Sequence, residues 1–154
     1  SDNMQIFAVI IGINEYLCEK SLHGATGDAK KIAESLKISV QVPTEHMVIL
    51  LDAAATRDEI VKSLHTHLHD NDRIHRGDAI IIYFAGHGTI YETHVREPMK
   101  AIKLVDSGFE LPDGTHVVDI SDRQINLFLK ELCDANGGNI TVVTDCCYSA
   151  ESTR

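Results

Sequence analysis

No window of eighteen consecutive apolar residues occurs in the 154-residue chain, so the sequence offers no helix able to span a bilayer. No secretory leader pattern opens it either, and residues 1–5 are expected to be a tail outside the folded unit. Basic charge is scarce: 14 Lys and Arg stand against 23 Asp and Glu, a formal net charge of −9. Nucleic acid is therefore not an expected partner, because a phosphate backbone demands a basic face. Cysteines number only 4, at positions 18, 133, 146 and 147, and a vicinal pair is a poor staple. Free thiols in a reducing, cytoplasmic setting follow from that usage. Repeats and low-complexity tracts are absent, and 154 residues with 44% hydrophobic content fit one domain over 6–154.

What is present alternates between two periods. Phe7-Ala8-Val9-Ile10-Ile11, Met47-Val48-Ile49-Leu50-Leu51, Ala79 to Ala85 and Ile140 to Thr144 are short apolar runs rich in β-branched residues, the mark of buried strands. Between them, Ala29, Ile32, Ala33 and Leu36 recur at helical spacing, as do Ile60, Leu64 and Leu68, and Ile125, Phe128, Leu129 and Leu132. Thr56-Arg57-Asp58-Glu59 and Ser121-Asp122-Arg123-Gln124 read as capping boxes, opening the second and third helices. A less regular stretch is expected from Thr89 to Val118, with one short strand near Ala101 to Val105. Strands apolar on both faces alternating with helices predict an α/β fold, a mostly parallel central sheet with helices on both faces.

In such sheets ligands bind beyond the carboxyl ends of the strands. The peptides that follow the two strongest strands are Gly86-His87-Gly88 and Asp145-Cys146-Cys147-Tyr148-Ser149. One supplies an imidazole and the other a thiol at the same sheet edge. A thiol is nucleophilic only as thiolate, which a neighbouring imidazolium favours, and the imidazole can later protonate a leaving amine. The backbone N–H groups of Gly88 and Cys147 are candidates for an oxyanion hole. Position alone does not choose between Cys146 and Cys147, since successive side chains near a strand end point in opposite directions. His65, His67 and His69 lie on a predicted helix where only His65 and His69 share a face, with no third ligand evident, so they read as an exposed polar face. Gly24 to Lys31 fails the spacing of a phosphate loop.

Ala8-Val9-Ile10-Ile11-Gly12-Ile13-Asn14-Glu15-Tyr16, Leu22 to Ala29, Tyr83-Phe84-Ala85-Gly86-His87-Gly88 and Asp145-Cys146-Cys147-Tyr148-Ser149, in this order, resemble the caspase-fold peptidases, specifically type I metacaspases such as those of mushroom-type fungi. The resemblance runs from about Phe7 onward. It implies a cysteine endopeptidase with His87 as general base and acid and Cys147 as nucleophile. It also implies Asp28 and Asp145 as the acids that hold a P1 Arg or Lys, whose guanidinium or ammonium suits paired carboxylates. The peptide chemistry needs no cofactor. Calcium, which many metacaspases use, would be bound through Asp106 and Asp122, with Arg123 standing where the family usually has another acid. Tyr148, Ala150 and Ala85 replace a His, a Gly and a Ser found in relatives. The Gln-Ala-Cys signature of true caspases is absent, which disfavours cleavage after Asp.

The same resemblance likens this chain to the large, p20-like subunit, whose partner would be a p10-like small subunit covering the edge of the last strand. Peptide or protein substrates with P1 Arg or Lys are the other expected partners, and Arg154 is read as a site of self-cleavage. The rival reading is a caspase-like module that binds or scaffolds without turnover. A small-molecule Cys hydrolase on a flavodoxin-like sheet is a third, without a phosphate loop to support it.

Overall fold

Alternation of side chains along one strand divides the core. β1 (Ile6–Gly12) turns Phe7, Val9 and Ile11 to one side and Ala8 and Ile10 to the other, and all five are buried. It pairs in parallel with β2 (Met47–Leu51) and with β3 (Ala79–Ala85), and β3 pairs in parallel with β7 (Ile140–Asp145). The resulting order is β2-β1-β3-β7, with the two most apolar strands in the middle. The computed structural model describes residues 3–92, 97–146 and 148–152, the last four of these as backbone only.

Helices cover both faces, as the sequence predicts. α1 (Ala25–Ile38) lays Ala25, Ala29 and Ala33, four apart, on the face of Ala8, Ile10, Tyr83 and Ala85. Small side chains let this helix approach closely, and Gly12 completes the fit: a Cβ there would lie 2.6 Å from the Cβ of Ala29 and 2.9 Å from the Ala25 carbonyl. The opposite face receives α2 (Arg57–Ser63) and α3 (Asp122–Asn136). Ser121 caps α3 with the full reciprocal box, its hydroxyl accepting from the Gln124 amide while the Gln124 side chain accepts from the Ser121 amide at 3.0 Å. Thr56 caps α2 by accepting from the Glu59 amide at 3.2 Å. Leu132 is fully buried on that side, with Ile125, Phe128 and Leu129 packed beside it.

Two expectations need correction. The stretch after His87 is not irregular at its start: β4 (Gly88–Glu92) begins at once, pairing antiparallel with β5 (Met99–Ile102) and parallel with β8 (Tyr148–Ser152). β5 also pairs with the short β6 (Ile120–Ser121), so a second four-stranded sheet, β6-β5-β4-β8, adjoins the first. Lone polar positions such as Thr89 hid β4 in the sequence, yet Thr89 is fully buried. The second helix is not α-helical throughout. Leu64–His69 form a π turn, in which the Asp70 amide donates to the His65 carbonyl five residues back at 2.8 Å.

Gly12→Ala is expected to cost about 1–3 kcal/mol, because neither Ala29 nor the α1 backbone can yield without moving the helix. Thermal unfolding of the variant should fall by several degrees; an unchanged midpoint would show that α1 does not sit tightly on β1.

Candidate active site

Three elements converge at the carboxyl ends of β3 and β7, beside the loop that leaves β1. That loop, residues 13–24, is built rather than loose. Asn14 accepts from the amides of Ala25 and Thr26 at 2.9 and 3.4 Å, so it caps α1 in place of Gly24, which has no side chain to do so. Asp52 in turn accepts from the amides of Asn14 and Glu15 at 2.8 and 3.0 Å. Leu17 donates to the Val105 carbonyl at 3.0 Å and Leu22 to the Asn14 carbonyl at 2.8 Å. Lys20 is thereby held with its carbonyl oxygen 2.7 Å from Nε2 of His87.

That contact fixes the proton on the imidazole. A carbonyl only accepts, so Nε2 donates and carries the hydrogen, which leaves Nδ1 as the basic nitrogen. His87 is gripped at its backbone as well: its amide donates to the Tyr16 hydroxyl at 2.8 Å, and its carbonyl accepts from the Lys103 amide at 3.0 Å. The Tyr16 ring lies 4.9 Å from the imidazole, and its hydroxyl donates onward to the Lys103 carbonyl at 3.3 Å. Burial raises the Tyr16 phenol far above its ordinary value, so it stays neutral. Gly86 is required by this grip, since a Cβ there would strike the Tyr16 hydroxyl.

Lys103 closes the circuit through its side chain. The ammonium is buried, 3.1 Å from Glu19 and 3.4 Å from Asp119, whose carboxylate also accepts from the Tyr91 hydroxyl. Burial alone would lower the Lys103 pKa, but Asp119, the hydrogen bond to Glu19 and the other negative groups outweigh it and raise it. Glu19 precedes Lys20, so the same ammonium anchors the residue next to the carbonyl that orients His87.

A cleft of about 510 Å³ opens beside the imidazole, lined among others by His87, Asp28, Asp145, Cys146 and Tyr148. The two acids predicted from sequence thus share one cleft with the predicted base. Tyr83 donates to Asp145 at 3.2 Å; burial first, then Asp145, and more weakly Asp28, push its phenol up to about 12. Cys146 is half-buried against the core, its sulfur 3.0 Å from where a Gly88 Cβ would stand. Burial and, next, a hydrogen bond with Cys146 raise the Tyr148 phenol. Cys147 lies outside the described residues, between two neighbours that both line the cleft.

The family model for the metacaspase, peptidase C14 domain matches residues 7–153. The chain belongs to the metacaspase family. Metacaspase-1 of the fungus Pyricularia oryzae is 26% identical over 148 residues, covering 92% of this chain and 36% of that protein. A crystal structure of a Geobacter sulfurreducens protein superposes with a TM-score of 0.68 at 17% identity, over 96% of this chain and 52% of the other, and shows the shared fold. This metacaspase domain therefore spans about a third of the length of the curated relative it matches.

Among the described residues, Asp106 and Asp122, expected to hold calcium, are not joined by a third acid. Asp106 spends one oxygen on the Arg57 amide at 2.9 Å, capping α2, and Arg123 reaches the Glu97 carbonyl at 3.5 Å. Asp122 has a buried Oδ1 without a hydrogen-bond partner, as has the Nε of Arg57. Among the described residues, neither Asp106 nor Asp122 joins a cluster of three converging acids, histidines or cysteines. Calcium takes six to eight oxygens, far beyond what these two supply. Sequence reasoning also missed Tyr16, Glu19 and Lys103 as parts of the site. A lysine amid apolar neighbours, Ala101-Ile102-Lys103-Leu104-Val105, was the available signal for the last.

Lys103→Met should destabilise the domain by about 3–5 kcal/mol, because it strands carboxylates beside a neutral side chain. The folded-state pKa of Lys103 is raised, so its contribution is complete below the ordinary value of 10.5 and is lost only as pH climbs through the higher folded value. Urea unfolding should accordingly give a stability gap between wild type and variant that is constant from about pH 6 to 9. A negligible gap would contradict the anchoring role.

Proposed function

We propose that this metacaspase domain is the catalytic part of a cysteine endopeptidase that cleaves after Arg or Lys. The observation that carries the reading is the single cleft shared by His87, Asp28 and Asp145, with Nε2 of His87 held by the Lys20 carbonyl. In this mechanism Nδ1 of His87 takes the proton of the Cys147 thiol, and the thiolate attacks the scissile carbonyl carbon. The oxyanion is received by the backbone N–H groups of Gly88 and Cys147. As the C–N bond breaks, the imidazolium gives its proton to the leaving amine, and a thioester remains on Cys147. Water, losing a proton to Nδ1, then attacks the thioester; the acid product leaves and the thiol is restored. Asp28 and Asp145 attract the P1 cation, and the neutral Tyr83 hydroxyl steadies Asp145.

Self-cleavage after an Arg or Lys belongs to the same reading, since these are the P1 residues the acids would select. So does a p10-like small subunit. β7 ends its sheet with Val142 and Val143 36% and 41% exposed, an edge that further strands would cover. Calcium has no step in this chemistry. A second reading, binding without turnover, draws on Tyr148, whose ring would lie 2.6 Å from a Gly88 Cβ and so crowds the proposed oxyanion side.

Fluorogenic peptides ending in Arg or Asp, offered to the complete two-subunit protein with and without calcium, separate the readings. Turnover of Arg peptides alone, abolished in both His87→Ala and Cys147→Ala, is expected. No turnover by the intact protein would favour the binding module. Asp145→Asn should lower kcat/KM for Arg peptides by roughly ten- to a hundredfold, the loss of about 1.5–3 kcal/mol from a charged hydrogen bond. An unchanged value would remove Asp145 from the P1 pocket. Intact mass of wild type beside Cys147→Ala tests self-processing, which is wrong if both release the same fragment.

A further inference from the structure

We propose that His65, His69 and Asp70 form a binding site for a divalent late transition-metal ion of the zinc type. In an α-helix the residue five positions on lies about 140° around the axis, so Asp70 would point away from His65. The π turn removes that separation. Its Asp70 amide donates to the His65 carbonyl at 2.8 Å, bringing Asp70 onto the side of the turn that carries His65. One nitrogen of each imidazole and one Asp70 oxygen consequently lie within 4.8 Å of one another. The third ligand that α-helical spacing hides is thus supplied by the change of helix type.

The surrounding groups hold this arrangement. The His65 ring stands edge-on to Phe128 at 5.3 Å and lies 5.8 Å from the His69 ring. Asn136, on α3, donates to the carbonyls of Leu68 and His69 at 2.5 and 3.1 Å, clamping the end of the turn. His67 takes no part, since its Nε2 is 2.9 Å from the His46 carbonyl on the other side. A hydrogen bond of 2.6 Å between Nδ1 of His69 and Asp70 accounts for that pair, but not for the approach of His65. Two imidazoles and a carboxylate suit zinc, cobalt or copper rather than calcium or magnesium. Zinc–nitrogen bonds of about 2.0–2.1 Å require the donor atoms to close in, which the exposed Asp70 and the partly exposed His69 side chains leave room for. None of the three residues lines the cleft of His87, so the site stands apart from the proposed peptidase centre.

Equilibrium dialysis against Zn2+, thermal unfolding and the Co2+ absorption spectrum test this on wild type, a His65→Ala/His69→Ala double variant and Asp70→Asn. Wild type should bind one ion through nitrogen and oxygen, giving weak visible Co2+ bands without the strong thiolate charge-transfer absorption that the cysteines would produce. Zn2+ should raise its midpoint. The double variant should lose both the ion and the rise. Asp70→Asn, close in shape and at an exposed position, should keep the metal-free midpoint and bind clearly more weakly, because a neutral amide replaces an anionic ligand. Uptake and midpoint rise unchanged in the double variant, a purely thiolate spectrum, or no uptake by wild type would each overturn the proposal.

Discussion

A backbone carbonyl decides what His87 can do. By accepting from Nε2, Lys20 settles which ring nitrogen is basic and prevents the ring from turning about its bond to the backbone. That carbonyl is useful only if the loop carrying it is rigid, and much of the site's surroundings serves that end. Asp52 ties the start of the loop, Asn14 fastens it to α1, and Glu19 is pinned by the buried Lys103. Lys103 also receives the Tyr16 hydroxyl at its carbonyl and donates its amide to His87. The imidazole is therefore held from both ring and backbone by groups that converge on one residue.

The two sheets explain why the site lies where it does. His87 follows β3 of the parallel sheet and precedes β4 of the second, and Cys146 follows β7 on the way to β8. Both junctions lie side by side because β3 pairs with β7 and β4 pairs with β8 in the same sense. His87 and Cys146, the latter beside the proposed nucleophile, thus occupy two parallel crossings from one sheet to the next, which a single strand end would not bring together.

Much of this was legible in the residues. The runs at Phe7 and Ala79 announce the central strands, Ser121 and Gln124 announce the start of α3, and both peptides expected to carry chemistry end the strands they were assigned to. Asp28 and Asp145 came together in one cleft only through the family likeness, since nothing local in either marks a shared pocket. The Lys20 carbonyl could not be found at all, because a backbone acceptor leaves no trace in residue identity. β4 was hidden by its polar Thr89 and by its place directly after a strand end, and the nearness of Asp70 to His65 by the assumption of 3.6 residues per turn. In each miss, tertiary pairing or helix type overrode a pattern that local reading takes as uniform.

The most direct check of the whole arrangement is the pH dependence of iodoacetamide labelling in the complete protein, with the modified cysteine located by mass. The account predicts that Cys147 labels first, with a thiolate transition below the free-thiol value of about 8.5, and that His87→Ala returns the transition to that value. Preferential labelling of Cys146, or a Cys147 transition indifferent to His87, would contradict it.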